Sequence, residues 1–126
     1  MPTDRRESLL ALYPKIFCDS ANGTLQPRCG IACGDGWYRL IERLCACVQS
    51  LADHRHLPQP RAVQVKEKLG GLRFYWDGIS DERVAAMTQY AETLSLHVCE
   101  VCGAPGALVR EDCLRTRCEL HRDTRA

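Results

Sequence analysis

The chain has 126 residues and a mass of 14.2 kDa, which is enough for one compact core and at most a small second unit. Its 17 basic and 16 acidic side chains leave a formal charge of +1. A typical nucleic-acid or anionic-membrane binder is strongly basic and a DNA mimic is strongly acidic, so the overall charge argues against all three classes. Hydrophobic residues make up 45% and charged residues 26%, so the composition predicts a folded globular protein.

Cysteine is the unusual component of the chain, with nine residues in 126. The only early apolar run is short, at residues 9–13, so we expect neither a signal peptide nor a membrane span, and we expect a cytoplasmic location. In a reducing compartment, clustered cysteines are more often metal ligands or plain buried residues than disulfides. The cysteine content therefore predicts a metal site.

The first predicted elements are helical. Asp4 and Glu7 can cap a short helix, which Pro14 should kink or end. Residues 18–34 contain three glycines and no periodicity, so they predict a long loop. The main core helix begins near Asp35, which we interpret as its cap, and it should end near residues 53–56. Its apolar stripe comprises Trp37, Leu40, Ile41, Leu44, Val48 and Leu51.

Residues 61–76 alternate with period two and predict a hairpin that turns at Gly70-Gly71 and packs on the core helix. One face would carry Val63, Val65, Leu72, Phe74 and Trp76. The other would carry Gln64, Lys66, Lys68, Arg73 and Tyr75.

A third helix follows, with Ser80 as its predicted cap and a buried stripe of Val84, Met87, Ala91 and Leu94. The order α-α-β-β-α predicts an α+β fold. We expect an α+β domain at residues 1–97 and a zinc-binding module at residues 98–126, which resembles a zinc ribbon or treble clef and packs on the first domain as one unit.

The carboxy-terminal cysteines carry the clearest chemistry. Cys99 and Cys102 form a C-x2-C pair, and after fifteen intervening residues Cys118 and His121 form a C-x2-H pair. Zn²⁺ prefers four tetrahedral nitrogen and sulfur ligands, and a two-residue gap lets both side chains of a tight turn reach one ion. Because all four positions are then filled by protein, the spacing predicts a structural rather than a catalytic zinc site.

Cys113 is an alternative fourth ligand, although it should lie near the tip of a hairpin between the two pairs. Redox-active thiols and buried cysteines without metal are the other interpretations of this segment. A second site at Cys18, Cys29 and Cys33 is not favoured, because a gap of three residues is not a usual metal-binding turn.

The face with Lys66, Lys68, Arg73 and Tyr75 is the best nucleic-acid candidate, since cations contact phosphates and an aromatic ring can stack on a base. A solvated strand face with edge lysines is the favoured interpretation. For catalysis, His54 and His56 could serve a nuclease, but two histidines in a polar linker are more often just exposed.

Three stretches carry a resemblance: CGDGW at residues 33–37, VKEKLGGLRFY at residues 65–75, and CEVCG at residues 99–103 followed by Cys118 and His121. Together they resemble a family of small zinc-binding proteins encoded by bacteriophages and prophages, over roughly residues 30–121. The resemblance implies a bacterial host cytoplasm and action on a host macromolecule. Cys99, Cys102, Cys118 and His121 match the recurring ligand pattern, whereas Cys18, Cys29 and Cys113 look particular to this chain.

These observations predict a non-enzymatic interaction module that binds, and modulates or inhibits, a host protein complex such as a defence system. A nucleic-acid-binding protein that uses the basic hairpin face is one alternative. A zinc-fold nuclease is the other.

Overall fold

The computed structural model describes residues 1, 3–17 and 30–125. The helices are α1 (Thr3–Leu12), α2 (Pro14–Phe17), α3 (Tyr38–Arg55) and α4 (Glu82–Ser95). The strands are β1 (Ile31–Ala32), β2 (Arg61–Lys68), β3 (Gly71–Asp77), β4 (Ala107–Arg110) and β5 (Leu114–Arg117). In the described residues, 3-10 turns lie at Asp35–Trp37 and Glu119–His121. The predicted α+β class is confirmed.

The larger sheet has three strands, in the order β1-β2-β3, rather than the two of the predicted hairpin. β2 and β3 are antiparallel, whereas β1 runs parallel to β2 and places Ile31 opposite Val65. Residues 31–32 therefore form a strand within the predicted loop, and residues 18–29 lie outside the described part of the chain. A strand of two residues has no periodicity to detect, and it is held by its partner in the sheet.

Val63 does not lie on the inner face of the sheet, as the alternation had predicted. Ala62 lies opposite Trp76 and Gln64 lies opposite Tyr75, so the register shifts between them and Val63 is an extra residue of β2. Ala62 is fully buried in the inward position, whereas Val63 is 44% exposed. A bulge reverses the inward and outward positions along a strand, and this one is not visible in the pattern of apolar residues.

The helices cover the inner face of this sheet. α1 ends before Tyr13, and Pro14 begins α2, where a missing N–H costs nothing. The ring of Phe17 on α2 lies 6.4 Å from that of Phe74, centroid to centroid. α3 contributes the centre of the core with Ile41, Leu44, Cys45, Val48 and Ala52, all buried. Among the described residues, no helix combines the length and apolarity needed to cross a membrane.

α4 runs beside the open edge of β3 and supplies acceptors to it. Ser95 Oγ accepts a hydrogen bond from the Leu72 N–H, and Glu92 Oε2 accepts one from the Phe74 N–H, both at 2.9 Å. Because these edge N–H groups already have acceptors, they are not free to hydrogen-bond to a further strand. The helix is capped by Asp81, which accepts from the Arg83 and Val84 N–H groups, and not by Ser80 as predicted. Likewise α3 has no side-chain cap, so the interpretation of Asp35 as its cap is wrong.

The bulge can be tested by truncating two neighbouring valines of β2. Val65→Ala removes two carbons from a fully buried site and should lower the free energy of unfolding by about 2 kcal/mol. Val63→Ala changes an exposed side chain and should change it by less than about 0.5 kcal/mol. Urea denaturation followed by circular dichroism measures both, and equal losses would contradict the register.

Candidate metal centre

Four side chains at the carboxy-terminal end converge on one point. The ligand atoms of Cys99, Cys102, Cys118 and His121 all lie within 4.8 Å of one another. The Sγ atoms of Cys102 and Cys118 are 3.7 Å apart, and His121 Nδ1 lies 3.3 Å from Cys118 Sγ and 3.8 Å from Cys99 Sγ. A tetrahedral zinc ion bound at about 2.3 Å to sulfur and about 2.0 Å to nitrogen would separate neighbouring ligands by about 3.5–3.8 Å. The group therefore has the dimensions to hold a metal ion.

The first pair lies on a tight turn whose backbone bonds hold both thiols on one side. The Cys99 N–H donates to the Ala104 carbonyl at 2.8 Å, and the Gly103 N–H donates to the Cys99 carbonyl at 2.9 Å. Gly103 has a φ of +84°, a backbone conformation that would be strained in a residue with a side chain. We call residues 99–104 the knuckle.

The second pair follows the small hairpin of β4 and β5, which was predicted between the two pairs. Cys118 follows β5 directly, and the His121 N–H donates to the Cys118 carbonyl at 3.2 Å within a 3-10 turn. The Glu100 N–H donates to the Thr116 carbonyl at 3.1 Å, so the knuckle lies against the end of β5. This contact brings two ligand pairs that are fifteen residues apart in sequence to the same point.

The electrostatics of the group favour a thiolate at its buried end. Burial disfavours ionisation of Cys99, but three backbone N–H groups donate to its sulfur and lower its pKa to about 6. These donors belong to Cys118, Cys102 and Val101. For Cys102, the Ala104 N–H lowers the pKa, but desolvation and the sulfurs of Cys118 and Cys99 outweigh it and raise the pKa. Because metal ligation requires thiolates, a bound cation would release the remaining protons.

The other candidate residues do not belong to this group. Cys113 lies at the exposed tip between β4 and β5, where Arg115 Nη1 is 3.7 Å from its sulfur. Cys33 is buried, and burial followed by the charge of Glu100 raises its pKa to about 12. Cys18 and Cys29, the other members of the second possible site, lie outside the described residues.

The two histidines considered for catalysis lie at the carboxy-terminal end of α3. His54 Nδ1 is 2.8 Å from the Ser50 carbonyl oxygen, one turn earlier in the helix. His56 ends the helix in the left-handed conformation, with a φ of 53°. Neither belongs to the four-residue group.

The knuckle is docked on the segment that leads into α3, a contact that sequence reasoning missed. The Gly36 N–H donates to the Glu100 carbonyl at 2.7 Å, and the Gly34 N–H donates to Glu100 Oε2 at 2.8 Å. The indole Nε1 of Trp37 donates to the Val98 carbonyl at 2.9 Å. The CGDGW stretch is therefore the receptor for the knuckle, and its two glycines next to a tryptophan were the available signal.

The glycines are required by the closeness of the two backbones. A Cβ on Gly36 would lie 2.0 Å from the Cys99 carbonyl oxygen, and one on Gly34 would lie 2.3 Å from the Glu100 carbonyl oxygen. Both distances are far inside van der Waals contact, so a side chain at either position would push the knuckle away.

Two further contacts attach the module to the rest of the protein. Glu100 Oε1 forms an ion pair of 3.2 Å with Arg117, whose side chain is only 4% exposed. Thr116 Oγ1 donates to the Gly70 carbonyl at 2.7 Å, which joins β5 to the turn between β2 and β3. The large hairpin and the carboxy-terminal module therefore meet at Gly70.

The basic residues of the large hairpin share its outer face. Lys66 lies directly opposite Arg73, and Gln64 lies opposite Tyr75, whose side chain is 44% exposed. Lys68 lies opposite Gly71 at the turn. We call Val63, Gln64, Lys66, Lys68, Arg73 and Tyr75 the outer face.

The docking of the knuckle can be tested with two glycine substitutions in one segment. Gly36→Ala should lower the free energy of unfolding by about 1–3 kcal/mol, because its methyl group would overlap the Cys99 carbonyl. Gly30→Ala is the matched control, because its methyl group would meet nothing within 4 Å. Thermal or urea unfolding measures both, and a Gly36→Ala protein as stable as the control would refute the docking.

Comparisons with protein-family models, with curated proteins and with solved structures found no match to this chain.

Proposed function

We propose that the four-residue group binds one Zn²⁺ ion and that the ion is structural. Three thiolates and one imidazole are the ligand set that zinc prefers, and four protein ligands complete a tetrahedron. No position is then left for the water that a catalytic zinc would activate. This closed ligand set supports a non-enzymatic role for the metal.

The composition of the module explains why it would need an ion. Between residues 98 and 125, the buried apolar residues are Cys99 and Val109. The other buried residues there are Arg115, Thr116 and Arg117, which are polar or charged. Such a segment has little core of its own, whereas structural zinc contributes about 10–16 kcal/mol of apparent binding free energy in small modules.

For the whole protein, we propose a non-catalytic interaction module that binds a protein partner of the bacterial host through the outer face. The observation that carries this proposal is the chemistry of that face. Val63, the extra residue of the bulge, and Tyr75 are both 44% exposed. Tyr75 lies opposite Gln64, the residue after Val63, and the cross-strand pair of Lys66 and Arg73 lies on the same face. Tyrosine and arginine beside exposed apolar surface are typical of protein interfaces, and the cations favour a partner that presents carboxylates.

A nucleic acid is the second candidate partner of the same face. Tyr75 is 44% exposed beside Arg73 and Lys66, an arrangement in which a base could stack while cations contact phosphates. The formal charge of +1 supplies no attraction beyond this local patch. For that reason we rank the protein partner first.

The zinc proposal predicts a defined metal content. Protein produced without added metal should contain about one zinc per chain, measured by elemental analysis. Cys118→Ser should reduce this value severalfold and make the segment after residue 98 sensitive to proteases. Cys113→Ser is the matched control and should keep its zinc, because its thiol lies outside the ligand group. A metal-free wild-type protein with a protease-resistant terminus would overturn the proposal.

The outer face can be tested by removing its three cations together. A Lys66→Ala, Lys68→Ala, Arg73→Ala variant should no longer retain the partner protein that the wild type captures from a bacterial lysate. A variant with Arg39→Ala, Arg43→Ala and Arg55→Ala removes the same charge from exposed positions of α3 and should retain it. Equal retention by both variants would contradict the proposed face.

The same variants separate the two partner classes. Fluorescence anisotropy with single-stranded DNA and RNA should show weak binding that the α3 variant and the outer-face variant share. The alternative outcome is tight binding by the wild type, with the logarithm of the binding constant falling against the logarithm of the salt concentration at a slope of about −2. That slope is expected for three phosphate contacts, and it would identify the outer face as a nucleic-acid-binding surface. Loss of that binding in Tyr75→Ala would identify base stacking.

A further inference from the structure

A cavity of about 900 Å³ lies where the metal-binding module meets α1 and β1. Its lining includes Arg6, Cys33, Asp35, Glu100, Arg115 and Arg117. This volume lies within the range of small-molecule sites, which extends to about 1,000 Å³. The cavity is separate from the four ligand atoms and from the outer face.

Arg115 is the strongest sign that this cavity receives an anion. The residue is only 4% exposed, yet among the described residues no carboxylate pairs with it. Its Nε and Nη2 donate to the Arg122 carbonyl at 3.2 and 3.0 Å, and Nη1 lies near the Cys113 sulfur. A guanidinium has five N–H donors, so two remain after these contacts. The charge of Arg115 acts on the Asp112 carboxylate and helps to lower the pKa of that group, but Asp112 is hydrogen-bonded to Arg125 and not to Arg115. A buried cation that no carboxylate contacts is costly, and a bound anion would offset that cost.

Arg6 adds a second unpaired donor to the same cavity. Its Nη2 donates to the Met1 carbonyl at 2.9 Å, but its buried Nε has no hydrogen-bond partner among the described residues. The remaining arginines of the lining are already paired with carboxylates: Arg117 with Glu100, and Arg125 with Asp112. Arg6 and Arg115 are therefore the two arginines of the lining that form no ion pair among the described residues. The lining also contains the Glu67 carboxylate, which accepts the Gly70 N–H at 2.7 Å.

The cavity also contains an acceptor without a hydrogen bond. Asp35 Oδ1 is buried and lies 3.4 Å from Arg5 Nε, but it accepts no hydrogen bond from the described residues. A hydroxyl or amino group of a ligand could donate to this oxygen. The cavity thus offers cationic donors and an anionic acceptor to one small molecule.

We propose that this cavity binds a small molecule that carries a phosphate or carboxylate group, with the Arg6 and Arg115 guanidinium groups as the receptors of the anion. Arginine suits both anions because its planar fork can bind two oxygen atoms at once. Asp35 would accept from a hydroxyl or amino group elsewhere on the ligand. The site is distinct from the proposed zinc ion, which is structural, and from the outer face, which binds the partner.

The test uses the zinc-loaded full chain, with ribose 5-phosphate and glutamate as anionic probes and ribose as the neutral control. Isothermal titration calorimetry at low salt should show a Kd of about 1 mM or lower for at least one anion. Ribose should show no binding. Which anion binds separates a phosphate ligand from a carboxylate ligand. The Nε–H resonances of Arg6 and Arg115 should shift in nitrogen-proton correlation spectra of the wild type.

Substitutions locate the binding. Arg6→Gln should weaken the affinity at least about tenfold, because it removes a charge-assisted hydrogen bond, and Arg115→Gln should weaken it further. Arg43→Gln, at an exposed position of α3, is the matched control and should bind as the wild type does. If Arg115→Gln does not retain zinc, its affinity is not interpreted, and the affinity of Arg6→Gln together with the wild-type spectra tests the proposal. The proposal is overturned if neither anion binds at about 10 mM, if ribose binds equally well, or if Arg6→Gln binds unchanged.

Discussion

The arrangement of this protein depends on one close contact between two backbones. The carbonyl of Glu100 accepts the Gly36 N–H at 2.7 Å, and the Glu100 side chain accepts the Gly34 N–H. Both bonds require glycines, because any Cβ at these positions would overlap the knuckle. The contact places the start of α3, and with it the buried core, directly against the turn that carries Cys99 and Cys102. A displacement of the knuckle would therefore also displace the start of α3 and the core residues that follow it.

The same contact relates the three proposed sites to one another. Metal ligation would hold the knuckle to the end of β5, and the knuckle in turn packs on the segment before α3. The cavity with Arg6 and Arg115 lies along this junction, so its shape depends on both parts. The outer face is attached less directly, through the bond from Thr116 to the Gly70 carbonyl. A structural ion would thus support the ligand cavity and the partner surface without contacting either.

Local patterns predicted most of the regular elements, because those elements bury enough surface to leave a period. The stripe of α3 is an example, since Ile41, Leu44 and Val48 are buried as its spacing required. The errors occur where one extra or missing residue decides the outcome. The bulge at Val63 exposes a valine that alternation placed inside, and the cap of α4 moves by one residue from Ser80 to Asp81. Neither shift changes the composition of the segment, so neither is visible in it.

By itself, the sequence determined the α+β class, the alternating hairpin and the two ligand pairs, because each depends on residues that are near neighbours along the chain. The tertiary structure decided which distant segments meet. β1 exists only beside β2, CGDGW serves as a receptor only because Glu100 reaches it, and Arg6 comes to one cavity with Arg115 from the opposite end of the chain. The residues that these arrangements bring into one region are 34 to 109 positions apart, and no local period encodes them. Which of these distant segments meet is determined by the packing of the whole chain.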